Sequence, residues 1–508
     1  MNRAFALEDL ACSVRYGFAT NSSSTHSICL LPKPPSGDSV GRWTATPEKG
    51  AYYFQTFSRT TPEAKADYLC CDMEHQVFRI VAPTRSWLLP DWKATGLDDE
   101  AMPDVDESSH RFARAYTSAT FGVEAPSGGD IDHQSCFSFP LDKNLPHVGF
   151  ARWYFDRVVN NPRVVIFGGH DGKKSPAKPK GTVEVGLLPH DEYQHPLTCH
   201  DRGDHWLLWG KTDGTKLRIP KVDGVEIRHT TIPELVDLKI TDFCNVGCAF
   251  CYQGSTGRGE HTQVDTYALK DLLVELGVRE VALGGGEPTD WPDLYDFVVL
   301  AAEKFVVNLT TRRPEKLSKA VWGAVGSVGF SCERAEDLQS AVHRLKIMGV
   351  DVEKKLVAHV ILGATPLDEA VAILKLAEEN EIEVLLLGYK TDGRGAAFAP
   401  HDHAGWVARL RSEFFKNEWW AGPKLGIDTK LAQEYGPNLT SQLGVQPKWM
   451  VGEEGAFSLY IDVVSMTFAK SSYGAQERFD LPPAEQGDYS WGDKAAKVVL
   501  ETFRSWHT

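Results

Sequence analysis

No stretch of this 508-residue chain approaches the ~18 consecutive apolar residues of a membrane-crossing helix. Glu8 and Asp9 arrive before any apolar core, so the N-terminus lacks a secretory pattern. These two absences predict a soluble, cytoplasmic protein. A basic excess is also missing: 54 Lys and Arg stand against 69 Asp and Glu, a net charge of -15. That balance opposes nonspecific attraction to nucleic acid or to anionic membrane, although it allows a local basic groove. Cysteine is sparse, at ten residues, and suggests no disulfide framework. Cys12, Cys29, Cys70, Cys71, Cys136 and Cys199 are scattered without ligand spacing and read as small buried hydrophobes. None follows Cys332, and no internal repeat is present.

The cysteines that are not scattered carry the chemistry. Cys244, Cys248 and Cys251 lie in the run Cys-Asn-Val-Gly-Cys-Ala-Phe-Cys-Tyr, which presents three thiolates from one short loop. Three thiolates can hold three irons of a [4Fe-4S] cube and leave the fourth open to a small molecule. A structural zinc site also uses closely spaced cysteines, but zinc normally takes a fourth protein ligand. An apolar run over 235–240 precedes the triad and reads as a strand, so the cysteines fall on the loop at its C-terminal end. About thirty residues on, the apolar run 281–283 leads into Gly284-Gly285-Gly286-Glu287-Pro288. Glycine lets backbone approach a ligand closely, and the Glu287 carboxylate can accept from an ammonium group.

Together these elements resemble the radical S-adenosylmethionine (SAM) superfamily, with its Cys-x3-Cys-x2-Cys loop, an aromatic residue such as Phe250 before the last cysteine, and a Gly-Gly-Glu-Pro element. The resemblance implies one [4Fe-4S] cluster on Cys244, Cys248 and Cys251, and SAM chelated to its open iron. It further implies an electron, from a reductant such as flavodoxin or ferredoxin, that splits SAM to a 5'-deoxyadenosyl radical. Gly285, Gly286 and Glu287 would then face the methionine amino group. Ser331 and Glu333 resemble the family's ribose-binding pair, and Ile361 with the following Gly363 resembles its adenine contact.

Strand-like and helix-like runs alternate over 232–395, which predicts parallel strands joined by right-handed helical crossovers. Strands are expected at 305–309, 328–331, 355–362 and 383–389, and helices at 267–276, 294–304, 335–348 and 367–380. The expected fold class is α/β: a partial (β/α)6 radical SAM barrel over 231–400, with ligands at the C-terminal strand ends. An N-terminal α+β domain over 1–230, a candidate for substrate recognition, would hold helices at 62–79 and 148–159, a strand at 164–167 and a hairpin of 205–209 with 215–219. An acidic loop at 98–107 and a Lys/Pro-rich loop at 172–181 read as solvated. Residues 401–508 would form a small extension, with a helix at 406–415 and strands at 425–431 and 457–467. It resembles the hairpin extension that carries an auxiliary cluster in many relatives. Lys430, Gly452 and Ser471 stand where those relatives place cysteines, so no auxiliary cluster is expected, and the chemistry tilts toward redox-neutral or single-electron steps.

Other residues are candidates by position. Alternation turns Cys332 away from Ser331 and Glu333 and makes it a buried thiol rather than a hydrogen-atom donor. Val357, His359 and Ile361 share a face, where His359 either meets substrate or SAM or is a satisfied core histidine. Tyr389, Lys390 and Arg394 lie at a strand end, as substrate contacts or as a solvated glycine turn. Asp428 and Lys430, two apart on a strand, read as a polar pair over the barrel mouth or a surface salt bridge. The polar run from Asn21 to Ser27 suits turns and caps or an anion or peptide site. His190, His195, Cys199, His200 and His205 have irregular spacing for zinc. The substrate favoured is a peptide or protein side chain. A nucleotide or small metabolite is the alternative, and a non-catalytic iron-sulfur scaffold or sensor the third reading.

Overall fold

The computed structural model describes 227–414, 425–443, 450, 452–474, 477–484 and 490–507. Before these it describes 25–30, 57–59, 148–160, 164–169, 183–184, 197–210, 216–222, 225 and scattered positions within 61–77 and 113–121. The loops at 98–107 and 172–181, His190 and His195 lie outside the described residues. The chain divides into two compact units, Met1–Lys211 with Thr215–Ile227, and Thr212–Gly214 with Arg228–Thr508.

In the first unit, β1 (Thr25–Leu30), β2 (Phe57–Arg59), β3 (Val164–Gly169) and β4 (Val183–Glu184) form one sheet, and β1 pairs antiparallel with β3. Thr25 to Ser27 of the polar run therefore sit in a strand instead of a turn. Helix α1 (Val148–Asn160) buries Phe150, Tyr154, Phe155 and Val158. The expected hairpin is present as β6 (His205–Gly210) and β7 (Lys216–Pro220), with His205 opposite Pro220. A third strand, β5 (Leu197–Asp201), extends it and carries Cys199 and His200. Among the described residues no three His, Cys, Asp or Glu, with Cys244, Cys248 and Cys251 of the second unit included, are grouped to hold a single metal ion.

The second unit is built on one sheet of ten strands. Six of them, β8 (Leu235–Thr241), β9 (Glu280–Gly285), β10 (Val306–Thr311), β11 (Val328–Ser331), β12 (Leu356–Ile361) and β13 (Glu383–Leu387), pair in sequence order and in parallel. Between them run α2 (Thr266–Leu276), α3 (Leu294–Ala302), α4 (Lys319–Ala324), α5 (Ala335–Met348), α6 (Val352–Lys355) and α7 (Leu367–Glu379). This is the expected α/β architecture, and β8 and β13 pair with further strands rather than with each other, which leaves it unclosed.

Local signals explain the helix limits. Asp265 caps α2 by accepting from Tyr267 N at 2.8 Å, and left-handed glycines, Gly277 and Gly349, end α2 and α5. In α5, Leu338, Ala341, Val342 and Leu345 repeat every three or four residues and are buried. In β12, Leu356, Ala358 and Val360 are buried beneath the helices, while Val357, His359 and Ile361 line the half-open opposite face. At roughly 1.5–3 kcal/mol for each buried aliphatic chain, this helix-facing layer holds the sheet in place.

Residues 401–508 share this sheet and this unit. Helix α8 (Trp406–Glu413) is followed by β14 (Leu425–Ile427), parallel to β13. The expected strand at 425–431 stops early, because Asp428 caps helix α9 (Thr429–Leu443) by accepting from Leu431 N at 2.9 Å. The expected strand at 457–467 is a hairpin, β15 (Ser458–Asp462) and β16 (Thr467–Ala469), extended by β17 (Phe479–Asp480). β15 also runs parallel to β8, at the free edge of the six strands. Helix α10 (Trp491–Ser505) lies on α2, with Gly492 so close that a Cβ there would stand 2.7 Å from Leu272 N.

No helix among the described residues is long and apolar enough to cross a membrane. A Gly492→Val substitution should separate α10 from α2 and cost about 2 kcal/mol or more, read as a lower thermal midpoint. An unchanged midpoint would show that this helix contact does not hold the fold.

Candidate functional site

The cysteine loop leaves β8 at Thr241 and is closed by its own backbone. Cys244 N donates to Thr256 O at 2.9 Å, Cys251 N to Cys248 O at 3.3 Å, and Gly254 N to Cys251 O at 3.3 Å. All three thiols are free and half-buried. Burial pushes the Cys248 thiol up, and the charges of Glu333, Cys251 and Cys244 add to that. Arg312 opposes the shift: its Nη1 lies 3.6 Å from Cys248 Sγ.

Two neighbours fix this loop. On one side Gly286 N donates to Thr241 O at 2.6 Å and Glu287 N to Phe243 O at 2.8 Å. A Cβ on Gly286 would stand 2.1 Å from Phe243 O, so the glycine admits the loop's own backbone. On the other side Arg394 N donates to Cys251 O at 2.9 Å, Nε to Cys248 O at 2.9 Å and Nη1 to Ser255 O at 2.8 Å. Tyr389 is buried and donates to Gly395 O at 2.7 Å, bracing that turn. The structure thus gives Tyr389 and Arg394 work inside the protein. Phe250 packs edge-on against Phe398, centroids 5.9 Å apart.

The strand ends bring the remaining candidates together. Glu287 is buried, and its Oε1 accepts from Thr289 N at 3.2 Å, Thr289 Oγ1 at 2.8 Å and Thr311 Oγ1. Its Oε2 accepts from Arg312 N at 3.1 Å, leaving that oxygen with room for another donor. Glu333 pairs with Arg312, which thereby bridges the cluster loop and β11. Burial opposes the Arg312 charge, but the hydrogen bond to Glu333 and the nearby Cys248 hold it above the usual guanidinium range. Arg312 was not singled out in the sequence; the only signal was an arginine pair directly after a strand.

On the half-open sheet face Ser331 of β11 stands opposite His359 of β12, and Ile361 follows His359 on the same side. The imidazole lies over Gly329, whose Cβ would meet His359 Cε1 at 2.2 Å, and His359 Nδ1 is buried without a partner. Burial pulls its pKa down to about 4, so the ring is neutral. Cys332 points the other way, is 2% exposed and is pushed up to about 12 by burial. It is the buried thiol that alternation predicts.

Asp428 and Lys430 do not form a pair over the mouth. Asp428 spends Oδ1 on Leu431 N and on Gly388 N at 3.0 Å, and Lys430, in the first turn of α9, pairs with Glu434 at 2.8 Å. The helix begins one residue after Asp428, which separates what a strand would have aligned. Lys390 does face the site, with Nζ 4.6 Å from the Tyr252 ring centroid and 4.5 Å from that of Tyr473. Lys239 is buried in an ion pair with Asp462 at 3.0 Å and another with Asp242 at 2.6 Å. Burial lowers the Lys239 pKa, but the two carboxylates outweigh it and keep it raised.

The donors suit an iron-sulfur cube. A single zinc would draw its sulfurs to within ~3.8 Å of one another, whereas a cube puts each thiolate on its own iron. Arg394 Nη2 is buried without an acceptor beside the carbonyls of the cysteine loop, as a bound acceptor would require.

Removing the Arg394 guanidinium should free the loop: in Arg394→Ala, amides of residues 244–256 should exchange with deuterium about tenfold faster or more, while α5 is unchanged. Equal exchange in both proteins would remove Arg394 from this role. His359 gives a pH signature. The unfolded ring takes a proton near its ordinary 6.5 and the folded ring only near 4, so its contribution to stability is complete above 6.5 and is lost as pH falls toward 4. The thermal midpoint of His359→Gln should therefore fall less steeply than wild type across that window; parallel curves would contradict the neutral buried ring.

A family model described as the radical SAM superfamily matches residues 238–387. A probable GTP 3',8-cyclase of Methanothermobacter thermautotrophicus is 34% identical over 76 residues, 15% of this chain and 25% of that protein, so the likeness spans a quarter of its length. Two structures of Streptococcus suis SuiB, one bound to S-adenosylmethionine and one to precursor peptide SuiA, each superpose with TM-score 0.44 at 12% identity, over 61% of this chain and 90% of theirs. Residues 238–387, with their thiol triad at the end of β8, are thus matched as a radical SAM domain.

Proposed function

We propose that this protein cleaves SAM reductively at a [4Fe-4S] cluster on Cys244, Cys248 and Cys251 and uses the product to take a hydrogen atom from a peptide or protein side chain. The observation that carries the reading is the triad itself: three free, half-buried thiols on one braced loop, in front of the strand ends that hold Glu287, Arg312 and Ser331. Bound there, the cluster and SAM would supply a 5'-deoxyadenosyl radical.

Each residue has a task that follows from its surroundings. Arg312 places a fixed positive charge beside Cys248, which offsets the cost of gathering three thiolates. Glu287 Oε2 can accept from the ammonium of a methionine group, with Gly285 and Gly286 as the backbone beside it. The Ser331 hydroxyl can take a ribose hydroxyl, and Glu333, paired with Arg312, would be the acid beside it. Val357, Ile361, Leu385 and Leu387 give the half-open face an apolar lining that keeps water from a reactive carbon. A one-electron donor such as flavodoxin or ferredoxin would serve the loop side of the site, in a reducing, cytoplasmic setting.

The likeness to a probable GTP 3',8-cyclase favours a second reading, rearrangement of a nucleotide or small metabolite in the same cavity. A non-catalytic scaffold would keep iron without cleaving SAM. Anaerobic reconstitution followed by reduction tests the proposal. Wild type should bind about four irons and release 5'-deoxyadenosine slowly from SAM, and Cys244→Ala, Cys248→Ala and Cys251→Ala should each lose both. Iron without 5'-deoxyadenosine would leave a scaffold; zinc in place of iron would end the cluster reading.

A further inference from the structure

Lys390 is a charged candidate contact whose donors the described residues leave idle. It follows β13, at the strand ends where the thiol loop also sits. Its ammonium lies between the faces of Tyr252, directly after Cys251, and Tyr473, from the C-terminal residues. Two ring faces stabilise the charge but accept none of its three N–H donors. Among the described residues Lys390 makes no hydrogen bond and no ion pair. A half-buried ammonium with idle donors is unfinished until an acceptor arrives.

The surroundings select the acceptor. Asp428, Asp237 and Glu454 act on Lys390 electrostatically, and Glu454 accepts from Tyr473 Oη at 2.6 Å. Burial opposes the lysine charge, yet these groups and Tyr252 keep its pKa raised, so it remains an ammonium. Burial likewise raises Asp428 and Glu454 toward protonation. A phosphate dianion or a triphosphate brought here would be repelled by whichever of Asp428, Asp237 and Glu454 is ionised, with one lysine to offset them. A neutral carbonyl oxygen adds no charge, and it takes the idle N–H groups at full strength.

We propose that Lys390 is a specificity-determining residue that donates to an amide carbonyl oxygen of an extended peptide and, with the acids around it, excludes phosphate-bearing substrates. This rests on the radical SAM reading with a peptide substrate, and it narrows that reading to backbone recognition at the mouth.

The test uses full-length, cluster-loaded protein, reduced anaerobically with SAM. Release of 5'-deoxyadenosine is followed against rising concentrations of a capped random pentapeptide mixture, and separately of a nucleoside triphosphate mixture. Peptides should stimulate release in wild type. In Lys390→Met the half-saturating concentration should rise about tenfold or more, and Lys390→Arg, which keeps donors, should recover most of it. Should the methionine variant not fold, Lys390→Leu, which also lacks donors, is read the same way. An unchanged half-saturation would make the lysine a strut between two rings and overturn the proposal. So would stimulation by triphosphates that the methionine variant loses, or no stimulation by either mixture. Wild type that releases no 5'-deoxyadenosine under any condition would overturn the radical reading itself, a distinct outcome.

Discussion

Backbone packed on backbone, where the end of β8 meets the glycines that end β9, is the constraint on which the site depends. Gly286 and Glu287 donate to the carbonyls of Thr241 and Phe243, and no side chain fits between the segments. The loop that starts one residue later therefore begins from a fixed point. Arg394 fixes its far side through three carbonyls. Three thiols can be held in a constant arrangement only when both ends of so short a loop are held.

The charged groups follow from this arrangement. Gathering thiolates at half-buried positions is costly, and Arg312 answers that cost from the end of β10. The same arginine is tied to Glu333, so the cluster loop, β10 and β11 share one electrostatic unit. A second unit, Lys239 with Asp242 and Asp462, ties β8 to β15, which joins the C-terminal hairpin to the free edge of the parallel sheet. The C-terminal residues are thus part of the site's wall: Ser472 lies 3.1 Å from the hydroxyl of Tyr252, and Gly474 N donates to Asp392 at 3.1 Å.

Much of this was legible in the residue order. Periodicity gave α5 at its observed limits and β11 exactly where the apolar run lies, because both are short-range patterns set by burial of one face. Alternation also separated Cys332 from Ser331 and put His359 and Ile361 on the open face. The end of β14 was not legible: a two-residue spacing suits a strand, but Asp428 is also a good cap, and the cap decided. Helix α10 went unread although it buries six residues, since its apolar positions make sense only against α2.

The sequence by itself determined the chemistry of the donors, the order of parallel strands and the faces of those strands. These depend on residue type and on spacing along the chain, which no packing can change. Only the tertiary structure decided which charged side chains are already occupied. It gave Arg394, Tyr389 and Asp428 to the protein, brought Arg312 to Cys248 across 64 positions of chain, and left Lys390 without an acceptor. Whether a polar group is spent or free is a matter of distance in space, and that follows only when the whole sheet has closed its contacts.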